Sequence, residues 1–249
     1  MVDSSDRVPI EPQSIIAPLS RAAIFLVLSI GGTPEAIRKV RSVIADIGGL
    51  VRAVGFRDLQ GRLSCNVAIG SAAWDRFGQS RRPAQLRPFV EIRGPMHNAV
   101  ATPGDLLFHI RANRADMCFE LERLILDALG DAVTVADEVQ GFRYFDSRDL
   151  LGFVDGTENP TGVDLSQSAL IQSEDPPFEG GSYVVVRKYL HKLEKWRSLE
   201  TATQESIIGR TKADNVELED RGRESHKALT TIVDAEGIEH DILRDNMPF

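Results

Sequence analysis

The chain has few cysteines and no long apolar run, and each absence excludes a class of protein. Its two cysteines, Cys65 and Cys118, both stand among apolar residues, which favours buried thiols in a reducing compartment over a disulfide framework or a zinc site. No apolar run reaches the roughly 18–20 residues that a membrane span needs. The opening residues, MVDSSDRVPIEP, contain neither the basic nor the apolar region of a signal peptide, so we expect a cytoplasmic protein.

Positive charge is also scarce. Lys and Arg number 29 against 37 Asp and Glu, which gives a formal net charge of -8, and no basic run interrupts the sequence. Nucleic-acid binding depends on a basic surface that neutralises phosphates, so we expect no nucleic-acid partner. The 42% hydrophobic content is that of an ordinary globular chain with a sizeable core.

The pattern of apolar residues predicts an α+β fold in two halves. Residues 1–20 read as an extended N-terminal arm, residues 21–145 as the first half and residues 146–249 as the second. In the first half the pattern predicts an antiparallel sheet with helices on one face. Its predicted strands are 22–30, 51–57, 63–70, 105–112 and 132–145, and its predicted helices are 34–47 and 114–129.

The second half repeats the beginning of this order but lacks its end. After a loop at 146–181 we predict the strongest strand of the chain at 182–191, a helix at 199–208, and a hairpin of strands 228–234 and 238–244. No closing helix and strand follow, and an open sheet edge is unfavourable. We therefore expect the second half to be incomplete, with either a further C-terminal segment or a partner chain completing it.

The segment LLGFVDGTENPTG, residues 150–162, places one carboxylate between two glycines. Glycines at 152 and 156 let the backbone near Asp155 approach a flat ligand closely or adopt unusual dihedral angles. From composition alone the segment could equally be a plain Asx-type turn at Asn159-Pro160.

Histidines and polar residues near the C-terminus are the other candidates. Five histidines have no metal-binding spacing such as HExxH, so a mononuclear zinc site is not expected. His226 lies in a charged segment, where a surface histidine is the simple alternative. Arg244 ends a predicted strand and Asn246 follows it, so a solvated strand end is an equally open interpretation.

Four segments taken together resemble the dye-decolourising peroxidase family, in particular its bacterial B-type members. They are GFRYFDSRDLLGFVDGTENP, GGSYVVVRKYLHKLEKW, IGRTKADNVEL and SHKALTTIVDAEGIEHDILRDNMPF. The family's GxxDG signature is met by Gly152, Asp155 and Gly156. The similarity extends from about Ala22 to the last residue, and the conjunction of motifs in this order is far more specific than any one motif.

The resemblance implies two ferredoxin-like halves, the second holding one haem b per chain. His226 matches the proximal iron ligand, Asp155 the distal acid, Arg244 the distal arginine and Asn246 a distal polar residue. The backbone at Gly156 and Thr157 would follow the haem edge. Arg210 is a weaker candidate for pairing with a propionate, since guanidinium binds carboxylate in a bidentate manner.

The implied function is a peroxidase that uses hydrogen peroxide to oxidise dyes, phenolics or similar small aromatic reductants through a ferryl intermediate. Asp155 would relay the peroxide proton, while Arg244 would stabilise negative charge on the departing oxygen. The alternatives are a haem-handling protein without peroxidase turnover and a haemless structural domain. The resemblance also implies a possible homo-oligomer and a possible encapsulin shell as partner.

Two departures from the family pattern concern the C-terminus. Family members normally continue past Met247-Pro248-Phe249 with a strand and a helix that complete the second half. The acid that orients the proximal histidine lies in that stretch, so we expect poor haem retention if Phe249 is the true end. The C-terminal peptide that targets members to encapsulin shells is also absent from this sequence.

Overall fold

The computed structural model describes residues 13–219 and 224–240, and these form eight α-helices and eight strands, with three short 3-10 helices between them. The strands are β1 (Ala22–Ile30), β2 (Ser64–Ile69), β3 (Ile92–Arg93), β4 (Asn98–Ala99), β5 (Leu106–Ala112), β6 (Val133–Phe142), β7 (Ile232–Val233) and β8 (Glu239–His240). The helices are α1 (Pro34–Ala45), α2 (Ile47–Gly55), α3 (Ser71–Arg76), α4 (Ala115–Leu129), α5 (Val163–Ala169), α6 (Leu193–Arg197), α7 (Thr201–Ile208) and α8 (His226–Thr230). Within those ranges no helix is long and apolar enough to cross a bilayer.

The first half is built on one four-stranded antiparallel sheet in the order β2-β5-β1-β6. The long strands and the helices between them follow the β-α-β-β-α-β pattern of a ferredoxin-like fold. β1 is central because its nine residues are nearly all apolar, and Leu26 and Leu28 are completely buried. The predicted α+β class is therefore confirmed.

The core of the first half lies between this sheet and α1, α2 and α4. Thr33 caps α1 by accepting a hydrogen bond from the backbone N–H of Ala36, and Pro34 occupies the first turn, as the sequence predicts. The face of α4 that carries Leu121 and Ile125 is completely buried against the sheet. Burying each such side chain contributes about 1.5–3 kcal/mol.

The predicted strand at 51–57 is wrong, because these residues belong to α2 and the turn that follows it. Val54 is buried, and partly buried apolar side chains precede it with helical spacing. Gly48 and Gly49, which suggested a helix end, are instead the second and third residues of α2. The apolar contact with α4 outweighs their low helix propensity.

Two further strand predictions in the second half are wrong. Residues 182–191 are an extended segment outside any helix or strand, with Val185 and Leu190 largely exposed. A β-branched run forms a strand only when a neighbour pairs with it, and within the described ranges none does. Residues 228–230 are the end of α8, because Ser225 caps that helix at the backbone N–H of Ala228. The predicted hairpin survives only as β7 and β8.

The described part of the N-terminal arm, residues 13–19, lies against the first-half sheet. The side-chain amide of Gln13 bonds both backbone groups of Val67, accepting from its N–H at 2.5 Å and donating to its carbonyl at 3.2 Å. The guanidinium of Arg111 donates to the carbonyl oxygens of Ser14 and, at 3.2 Å, Ala17. The arm thus crosses from the edge strand β2 towards the second half.

Candidate active site

The loop that carries Asp155 is held in shape by a second carboxyl group, that of Asp149. Its Oδ1 accepts hydrogen bonds from the backbone N–H groups of Leu151 at 2.9 Å and Phe153 at 3.0 Å. The ring of Phe153 is buried and packs edge-on against Trp196 with 6.1 Å between ring centroids. Gly152 has a φ of 90°, a conformation that side chains disfavour. The glycine of the motif is therefore needed for the turn itself.

Asp149 and Asp155 are also electrostatic neighbours. Burial raises the pKa of Asp149, and the negative charge of Asp155 raises it further, while the backbone donors to Asp149 lower it. The negative charge of Asp155 therefore disfavours the ionised form of Asp149.

Arg148 ties this loop to a distant part of the chain. Its Nη1 donates to the carbonyl oxygens of Gly152 at 2.9 Å and Lys212 at 2.6 Å, and its Nη2 donates to that of Ala213 at 3.2 Å. The side chain is only 20% exposed, so these carbonyls replace much of the water that a guanidinium would otherwise bind. Arg148 consequently joins the turn after α7 to the Asp155 loop.

A cavity of about 230 Å³ opens at Asp155. One wall is the arm, residues 15–19, and the other is formed by the segments on either side of the motif. The lining residues outside the arm are Arg143, Tyr144, Ser147, Arg148, Asp155, Gly156, Asn159, Pro160 and Leu165. The cavity therefore combines apolar walls with one carboxyl group and two guanidinium groups, and it is large enough for a small polar molecule.

Thr157 and Glu158 connect the motif to the segment that carries Arg210. The hydroxyl oxygen of Thr157 accepts a hydrogen bond from the side-chain amide of Asn215 at 2.9 Å. Glu158 forms an ion pair with Arg210, which also contacts Glu217 at 3.4 Å. The Arg210 side chain is 14% exposed, so two carboxylates hold its guanidinium at the edge of the site.

His226 begins the short helix α8 and is exposed. Its neighbour Lys227 lies 3.8 Å from the Glu158 carboxylate, which joins α8 to the Asp155 loop. Gly209 packs closely on this helix start, because a Cβ there would lie 3.1 Å from Lys227 Cβ. The helix that begins at His226 and the loop that carries Asp155 are thus in contact, through Lys227 and Glu158.

These residues fit a haem group in their donor chemistry. A neutral imidazole is a common axial ligand of haem iron. The side chain of His226 is exposed, so a haem group could reach it. Leu229, Ile232 and Val233, on α8 and β7, are 71%, 51% and 55% exposed. Three large apolar side chains within a few residues of His226 are therefore exposed to solvent.

The structure brings part of the predicted site together. Asp155 and Gly156 line the cavity, Thr157 and Arg210 lie beside it on connected segments, and His226 lies on the contacting helix. Arg244 and Asn246 lie outside the described residues. Among polar residues, sequence reasoning missed Asp149 and Arg148, although both directly precede the recognised motif, and it missed Glu158 inside it.

Comparison with known proteins agrees with the sequence resemblance along the whole chain. Residues 12–143 match the family model described as Dyp-type peroxidase, N-terminal, and residues 146–249 match the one described as Dyp-type peroxidase, C-terminal. A dye-decolorizing peroxidase from Mycobacterium tuberculosis is 55% identical over 242 residues, covering 96% of this chain and 72% of the relative.

Solved structures agree with the fold. DyPB from Rhodococcus jostii RHA1 superposes with a TM-score of 0.93 at 58% identity, covering 95% of this chain and 77% of that one, and variants of it are solved in complex with haem. The encapsulated DyP-type peroxidase from Mycobacterium smegmatis has a TM-score of 0.92 at 52% identity, covering 96% and 77%. On the strength of both family models and these relatives, the chain belongs to the Dyp-type peroxidase family.

Proposed function

We propose that this chain is a haem peroxidase that uses hydrogen peroxide to oxidise dyes, phenolics or similar small aromatic reductants. The observation that carries the proposal is the placement of Asp155. Its carboxyl group lines a cavity of about 230 Å³, on a loop that Glu158 joins to the helix beginning at His226. Peroxide activation requires both a proton-transferring group and an iron ligand, and these two connected elements would supply one each.

In this proposal one haem b per chain is held by His226 through its imidazole, with Gly156 and Thr157 along its edge. Bound haem supplies the capacity to accept and return electrons one at a time. The protein supplies ligation, a polar pocket and restricted access. Arg210, already paired with two carboxylates, supports the edge of the site and remains a candidate partner for a propionate.

The residues of the cavity would handle the proton of the peroxide. A carboxylate oxygen of Asp155 would take the proton from one peroxide oxygen and deliver it to the other, which could then leave as water when the O–O bond breaks. The two electrons for this cleavage and the acceptor of the remaining oxygen atom would come from bound haem. Arg244 and Asn246 are proposed on the same side, where a permanent positive charge would stabilise the departing oxygen. Asp149 supports this relay by shaping the loop that carries Asp155, since its carboxyl group accepts from the backbone N–H groups of Leu151 and Phe153.

The encapsulated relative supports a further part of the proposal, association with an encapsulin shell. In that setting the protein would work inside a protein compartment, on hydrogen peroxide and on electron donors that reach its surface. A shell would also limit which reductants arrive.

Haem titration tests the proposal at His226. We expect the purified chain to develop a Soret band with added haemin, and His226→Ala to weaken binding about 100-fold or more through loss of the axial ligand. His97→Ala, the same change at another exposed histidine, serves as the control and should bind normally. Equal binding by both variants would remove His226 from the proposal.

Peroxide turnover tests the role of Asp155. We expect Asp155→Asn to bind haem like the parent chain but to bleach an anthraquinone dye about 100-fold or more slowly with hydrogen peroxide, because an amide cannot relay the proton. Bleaching at the parent rate would contradict the assignment. Haem binding without peroxide-dependent bleaching by the parent chain would favour a haem-handling role instead.

A further inference from the structure

The N-terminal arm forms one complete wall of the Asp155 cavity. Five consecutive arm residues, Ile15 to Leu19, line it, although they precede the motif by about 140 residues in the chain. Their side chains are mostly apolar, whereas the opposite wall carries the carboxyl and guanidinium groups. The width of the cavity therefore depends on how closely the arm is held.

A buried arginine holds the arm in this position. Arg111, on β5, is 2% exposed, and its guanidinium donates to the carbonyl oxygens of Ser14 and Ala17. The two carbonyls lie on either side of Ile15 and Ile16, so the contact anchors the part of the arm that begins the cavity wall. Arg111 is not among the cavity-lining residues, so its effect on the cavity can only pass through the arm.

Arg111 and the N-terminal arm each depend on the other. A buried guanidinium needs acceptors in place of water, and the arm supplies two of them. A short arm without secondary structure would otherwise have little to hold it, because its remaining described anchors are polar contacts of Gln13 and Ser14 with the edge strand β2. Moving the arm away would therefore remove two acceptors from a buried guanidinium as well as widen the cavity.

We propose that Arg111 is a positioning residue that holds the N-terminal arm as a size filter over the Asp155 cavity, admitting small hydroperoxides and excluding bulky ones. This extends the proposed function, on which the identity of the admitted molecule rests. The wall itself is a property of the fold, so its action as a filter can be measured with neither haem nor peroxide.

The test places a thiol inside the cavity and measures how readily it is alkylated. Ser147→Cys, in the cavity lining, is made in the full chain and treated with iodoacetamide or with the much larger pyrene maleimide. The ratio of the two rates is compared with that of Ser42→Cys, an exposed thiol on α1. The native thiols react slowly, because burial raises the pKa of Cys65 and of Cys118 to about 12.

We expect the large reagent to be disfavoured at residue 147, and adding Arg111→Met to raise its relative rate about tenfold as the arm is released. Leu19→Ala shortens a side chain in the cavity wall and so widens the cavity, while Arg111 stays in place. It should also raise the relative rate of the large reagent, and it provides the test if Arg111→Met fails to fold. Arg123→Met, an exposed arginine on α4, is the matched control and should change nothing. An unchanged ratio in both Arg111→Met and Leu19→Ala would overturn the proposal.

A second measurement connects the filter to catalysis. In haem-loaded protein, we expect Arg111→Met to raise kcat/KM for cumene hydroperoxide relative to hydrogen peroxide, through KM rather than kcat. A merely destabilising change would lower kcat/KM for both substrates together. If the thiol ratios shift but the parent chain turns over no peroxide, the arm is a filter and the proposed function fails. If peroxide turns over and the thiol ratios do not shift, only the filter fails.

Discussion

At the scale of single residues, the fold opposes the ionisation of one carboxyl group in particular. Glu122, on α4, is 4% exposed, and its Oε1 has no hydrogen-bond partner within the described part of the chain. Burial raises its pKa to about 7, and the charge of Glu138 on β6 adds to the effect. The folded protein therefore holds a proton here that the unfolded chain releases near pH 4.5.

Stability should consequently fall as the pH rises from about 4.5 to 7, because the folded state then binds more protons than the unfolded state. We expect Glu122→Gln to remove this loss and to raise the free energy of unfolding at pH 8 by up to about 3 kcal/mol. Urea denaturation of both proteins at several pH values measures it. Glu120→Gln, at a partly exposed position on the same helix where the carboxylate pairs with Arg123, should not reproduce the gain.

Single residues also show where sequence reasoning succeeds. Asp155 is identified because the spacing of its glycines is local and belongs to a family motif. Arg148 is missed because its partners, the carbonyls of Lys212 and Ala213, lie more than sixty residues away along the chain. His109 is correctly placed in a sheet, where burial lowers its pKa to about 3 and its ring stacks on Phe25 at 4.4 Å.

At the scale of elements, the Asp155 loop and the turn after α7 depend on Arg148. Replacing it with Met keeps much of the buried stem but leaves three carbonyl oxygens without their donor. We expect Arg148→Met to destabilise the protein by about 2–4 kcal/mol and to increase hydrogen exchange in residues 147–156 and 209–217.

Arg143→Met is the control that distinguishes loss of the Arg148 hydrogen bonds from loss of a positive charge. Arg143 lines the same cavity, but its side chain makes no described hydrogen bond. That variant should leave hydrogen exchange in both segments unchanged. Similar increases in hydrogen exchange in the two variants would contradict the claim that the hydrogen bonds of Arg148 hold these segments together.

Elements also differ in how far the sequence predicts them. Helix α4 is recovered within one residue at its start, because an apolar stripe and polar opposite face are properties of its own sequence. Helix α2 is mistaken for a strand because the two glycines near its start suggest the end of a helix, which leaves the apolar residues after them to be interpreted as a strand. The segment 182–191 has strand composition, but pairing, which composition does not encode, decides whether a strand forms.

At the scale of the whole molecule, the two thiols report on global unfolding. Cys65 and Cys118 belong to the same core between the first-half sheet and its helices, and neither forms a disulfide. We expect both to resist a thiol reagent in the native state at pH 8 and to react together once urea unfolds the first half. Rapid reaction of either thiol without denaturant would show that this core opens locally.

The fold class and family are therefore accessible from the sequence, while the division at residues 145 and 146 stays a prediction. The geometry within the second half is less accessible, because it depends on contacts such as that of Glu158 with Lys227. Those contacts join residues that no local pattern connects.

The position of Gln13 has a consequence for behaviour at high concentration. Its amide occupies both backbone groups of Val67 in β2, the outermost strand on that side of the sheet. An uncovered border strand can recruit a strand from another molecule and start intermolecular β-association. The side chain of Gln13 thus blocks intermolecular pairing at this position of the edge strand. Removing the N-terminus beyond Gln13 would leave that position able to pair with a strand of another molecule.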